Sequence, residues 1–85
     1  MNIYFTNGML YINERWFYHS TQREVKGIIK LITELTRDPY TYLVEMGSIF
    51  NKLLSNSRLK PRDKERIAKK LALVEKEVNK WRIFN

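Results

Sequence analysis

Apolar positions change their spacing along the chain, and each spacing predicts a different kind of element. Residues 2–19 are dense in aromatic and β-branched side chains around Asn7-Gly8, the dipeptide that best tolerates positive φ at both centres of a two-residue type I′ turn. With Asn7 and Gly8 as the loop, Ile3 opposes Ile12, Tyr4 opposes Tyr11, Phe5 opposes Leu10 and Thr6 opposes Met9. Ile3, Phe5, Leu10 and Ile12 then share one side, and Tyr4, Thr6, Met9 and Tyr11 the other. Asn13-Glu14 offers another turn, after which residues 15–19 would add a third strand, with Trp16 and Tyr18 on the tyrosine side. The N-terminal unit expected is an antiparallel β-hairpin, extended to a three-stranded meander if that strand forms.

Beyond Ser20 the period lengthens. Thr21 followed by Glu24 has the spacing of a capping box, and Val25, Ile28, Ile29, Ile32 and Leu35 recur at helical intervals, which predicts a helix over 22–36. Asp38-Pro39 supplies a cap and a first-turn proline for a second helix over 39–54, with Leu43, Met46, Ile49, Phe50, Leu53 and Leu54 inward. Ser55-Asn56-Ser57 breaks it. The longest helix follows over 61–82, where Ile67, Leu71, Val74, Val78 and Trp81 make a seam stepping 4, 3, 4, 3. Two heptads fall short of an autonomous coiled coil, so the seam is expected to pack on the two earlier helices, with a homodimer through it as the alternative. Gly27 and Gly47 lie inside the helical segments and are expected to mark close helix crossings. The fold class expected is α+β in one small domain, 1–85.

Composition narrows the functions. Sixteen Lys and Arg against nine Asp and Glu give a net charge of +7 on 85 residues, which favours polyanions or acidic protein surfaces as partners. The absence of cysteine excludes disulfides, thiolate metal sites and a cysteine nucleophile, and a single histidine makes a protein-encoded metal site unexpected. Apolar runs fall far short of the roughly 20 residues that cross a bilayer, and no basic stretch leads into an apolar core at the N-terminus. A soluble cytoplasmic protein is expected, in the host cytoplasm if it is viral. Neither a phosphate loop nor a nucleophile elbow is present, and the carboxylate pairs Asp63/Glu65 and Glu75/Glu77 are two apart and diverge on a helix. No enzyme and no cofactor are expected, and His19 is taken as structural.

Charge placement supplies the candidate site. Residues 52–70 hold eight cations against two acids, most densely at the connection between the second and third helices. On the last helix Arg62, Arg66, Lys69, Lys76 and Lys80 form a stripe almost opposite the seam. Cations one to two turns apart suit successive phosphates, so Arg58, Lys60, Arg62, Arg66, Lys69, Lys70 and Lys76 are the residues expected to meet DNA or RNA, or an acidic partner surface. Tyr4, Tyr11, Trp16 and Tyr18 are either core covered by the helices, the preferred reading, or an accessory aromatic surface that stacks unpaired bases. The alternative is a phage-type inhibitor or interaction protein that docks on a host nucleic-acid-processing enzyme, such as a CRISPR nuclease or a polymerase, through anchors such as Trp16 or Trp81.

Overall fold

The computed structural model describes the backbone of residues 3–6, 9–12 and 14–84 and the side chains of residues 15–82. Four helices follow one another: α1 Glu14–His19, α2 Gln22–Leu35, α3 Pro39–Leu54 and α4 Pro61–Phe84. Ahead of them β1, Ile3–Thr6, and β2, Met9–Ile12, run antiparallel with Ile3 beside Ile12 and Thr6 beside Met9. Every described core side chain comes from a helix. The folded body is therefore all-α, which corrects the α+β class expected from the sequence. The Asn7-Gly8 turn and the side chains of Tyr4 and Tyr11 lie outside the described residues.

Residues 15–19 do not form the expected third strand; they lie in α1. A strand would send Trp16 and Phe17 to opposite faces, yet both are buried, and Ser20 is buried with them at the i+3 and i+4 spacing of one helical face. The Ser20 amide donates to Trp16 O at 2.8 Å, which continues the helical bonding past His19. Phe17 packs edge-on against Phe50 of α3, with ring centroids 5.1 Å apart, and against Trp16 at 5.2 Å. Tertiary burial here overrides the β-propensity of three consecutive aromatics.

Helices α2 and α3 begin where side chains can satisfy their first amides. Thr21 Oγ1 accepts from the Glu24 amide at 3.1 Å, and Glu24 Oε1 accepts in return from the Thr21 amide at 3.2 Å. Asp38 caps α3 by accepting from the Thr41 amide at 3.3 Å, with Pro39 at the first position. Ile28, Ile29 and Ile32 of α2, Leu43, Met46 and Phe50 of α3, and Ile67, Leu71, Val74 and Val78 of α4 form one apolar core, and Trp81 is half-buried at its edge. Each such side chain contributes about 1.5–3 kcal/mol of burial. The α4 seam is thus packed within the chain, mainly against α3 and then against α2.

The two helical glycines differ. Gly47 is buried where α3 meets α4, and a Cβ there would touch Val74 Cγ1 at 3.8 Å and Leu71 Cδ1 at 3.9 Å. Gly27 is exposed with nothing within 4 Å, so no close crossing accounts for it. Among the described residues no helix is long and apolar enough to cross a membrane.

Candidate nucleic-acid interface

Helix α4 turns its seam into the core and leaves Arg62, Arg66, Lys69, Lys76 and Lys80 exposed on the far side. Beside them α2 exposes Arg23, Lys26 and Lys30, a set that steps 3 and 4 along one face. Packing of α2 against α4 joins the two sets. Lys26 and Lys30 from α2 and Lys76 and Lys80 from α4 line one groove of about 340 Å³ together with Ile29, Thr33, Leu73 and the acid Glu77. Towards the start of both helices a second cleft, about 350 Å³, is lined by Arg23 and Arg66 together with Ser20, Thr21, Gln22 and Lys70. The basic surface is therefore a two-helix face.

The acids on this face do not neutralise it. Lys80 lies 3.6 Å from Glu77 and Lys69 lies 3.5 Å from Glu65. Both lysines are largely exposed, and such pairs in water hold little energy, so either ammonium can exchange its carboxylate for a phosphate. Across the molecule, a groove of about 530 Å³ between α3 and α4 contains Val44, Ser48, Asn51, Glu75, Asn79 and Arg82. It is larger but balanced in charge, with one acid and one base, and lacks the chemistry that would select an anion.

Lys70, counted from the sequence among the phosphate contacts, has another place. It is 1% exposed, and its Nζ donates to Phe17 O at 2.6 Å, Tyr18 O at 3.1 Å, Ser20 O at 3.0 Å and Ser20 Oγ at 3.3 Å. Three of these acceptors are carbonyls at and just past the C-terminal end of α1, where the last carbonyls lack a helical partner and carry the negative end of the helix dipole. The ammonium also stands 5.6 Å from the centroid of the Phe50 ring. Burial and the charge of Arg66 push its pKa down to about 8, opposed by Glu24. Lys70 is a cap supplied from α4, so it is withdrawn from the phosphate-binding set.

The aromatic platform is likewise altered. Trp16 is buried, and Tyr18 is half-buried with its hydroxyl donating to Asp63 Oδ2 at 2.9 Å. That hydrogen bond is the first cause holding the Tyr18 pKa above its usual value, followed by burial. Neither ring is presented for stacking. Arg58 and Lys60 are exposed at the α3–α4 connection, where Asn56 Oδ1 accepts from the Arg58 amide at 3.0 Å, but neither lines the α2–α4 grooves. His19 is exposed, with its ring edge-on to Tyr18 at 4.9 Å.

Arg23, Lys26 and Lys30 are the residues that sequence reasoning missed. Their helical spacing was available, but a charge count by segment obscured a cluster that forms only when two helices are laid side by side. Among the described residues no group of three or more His, Cys, Asp and Glu could hold a metal ion. No protein-family model, curated protein or solved structure matches the chain.

Proposed function

We propose that the protein binds nucleic acid without catalysis, by contacting phosphates with the two-helix face formed by α2 and α4. The observation that carries this reading is the groove in which Lys26 and Lys30 meet Lys76 and Lys80. Four long cationic side chains against the single Glu77 leave a net repulsion in one concavity, and a polyanion relieves that repulsion while releasing its own counterions. Arg23 and Arg66 continue the positive surface towards the start of both helices.

Fluorescence anisotropy with labelled DNA and RNA over about 50–200 mM salt tests the reading. Wild type is expected to bind with log K falling linearly against log salt. The triple variant Lys26→Glu/Lys30→Glu/Lys76→Glu is expected to lose most of that affinity. Lys52→Glu/Arg58→Glu/Lys60→Glu, which changes net charge by the same amount outside both clefts, should keep most of it. Equal losses in both variants would mean that net charge alone drives binding. A loss confined to the second variant would move the site to the α3–α4 connection. No binding by wild type at any of these salt concentrations ends the proposal and favours docking on an acidic protein surface.

A further inference from the structure

Resting on that phosphate-binding reading, we infer that the ligand is double-stranded nucleic acid, held by both of its backbones and without reading of its bases. The cations stand in two rows on different helices, Arg23, Lys26 and Lys30 on α2 and Arg66, Lys76 and Lys80 on α4. The rows run in the same direction, because residues 20–23 share a cleft with Arg66 while residues 26–33 share the next with residues 73–80. Packed helix axes lie about 8–10 Å apart, and long side chains splaying outward widen the separation of the charges. That separation is on the scale of the grooves of B-form DNA, about 6–12 Å across, and A-form RNA likewise offers one narrow and one wide groove, each edged by two phosphate strands. A single strand would need only one row.

Length agrees with this. From Arg66 to Lys80 the helix rises about 21 Å, enough to follow roughly six base-pair steps. The chemistry between the rows argues against unpaired bases. Ile29, Thr33, Leu73 and Glu77 line the groove beside the cations, and no aromatic side chain lines either cleft among the described residues, so no stacking platform is offered there. Among the described residues lining the two clefts Gln22 is the one amide side chain, too little for the paired donor and acceptor contacts that distinguish bases. Backbone charge alone leaves binding indifferent to sequence.

The test compares a mixed-sequence strand of about 20 residues with its duplex, each as DNA and as RNA, by anisotropy at matched salt. The duplex is expected to bind at least about tenfold more tightly than the strand in both chemistries, and two unrelated duplexes to agree within about twofold. Lys26→Glu/Lys30→Glu is expected to lower the magnitude of the log–log salt slope for duplex by about two. A strand bound as tightly as the duplex in either chemistry overturns the inference while leaving the phosphate reading intact. So does an unchanged slope in the α2 variant, or a tenfold difference between duplexes. Absence of binding to all four probes instead overturns the reading beneath it.

Discussion

A single amine decides how the smallest helix is held. Lys70 satisfies Phe17, Tyr18 and Ser20 carbonyls at once, and its replacement by Met keeps the volume while leaving those acceptors buried and bare. Lys70→Met is expected to lower stability by about 1–3 kcal/mol, whereas Lys69→Met, one residue away on the exposed stripe, should stay within about 0.5 kcal/mol. Urea titration followed by circular dichroism measures both, and equal effects would contradict the capping role. The pH dependence follows from the depressed pKa, about 8 in the folded chain against 10.5 for an ordinary lysine. The unfolded chain binds the proton more tightly, so this group's contribution to stability grows as pH rises from about 8 towards 10.5 and is lost as pH falls back through 8. Lys70→Met should therefore flatten the stability curve between about pH 8 and 9.5, below the range where Tyr18, shifted upward, begins to act in the opposite sense. Parallel curves for wild type and variant would show that the amine does not titrate there. Nothing near Lys70 in sequence marks this role beyond its position three after Ile67 and four before Val74, on the inward flank of α4.

Elements were legible where their determinants are local. The Thr21–Glu24 capping box and the Asp38-Pro39 start each lie within four residues of the amides they serve, so the beginnings of α2 and α3 can be read from the chain alone. The α1 segment could not be read so. Trp16, Phe17 and Tyr18 suit a strand as well as a helix by propensity, and what selects the helix is Phe50 against Phe17 and Lys70 on its last carbonyls, both distant in sequence. The same locality sets the expected effects of substitution. Thr21→Ala should cost about 1 kcal/mol by removing the α2 cap. Gly27→Ala should add about 0.5–1 kcal/mol, since the site is open and the gain is that of helix propensity alone. Chemical denaturation of the two variants checks both signs, and a destabilising Gly27→Ala would mean that this glycine meets something outside the described residues.

At the scale of the whole molecule, 36 × 30 × 19 Å, charge and core are segregated. The seam of α4 gave the sequence enough to place a basic stripe on the opposite side, but the second row on α2 became visible only with helix packing. Crowding those cations has a price in stability. Lys30→Glu is expected to raise the melting temperature in about 20 mM salt, and the gain should shrink towards zero near 1 M salt, where the Debye length is about 3 Å. A lower melting temperature at low salt would show that Lys30 is not repelled by its neighbours. The link from α4 to α1 also has a consequence for the order of folding. The six residues of α1 meet the rest of the core through Trp16, Phe17 and the Lys70 cap, whereas α3 and α4 share a long apolar seam. With so few buried contacts, α1 is expected to dock last, onto long helices already packed. It then opens first as well, and its amides should exchange with solvent through a partial opening that leaves α3 and α4 protected.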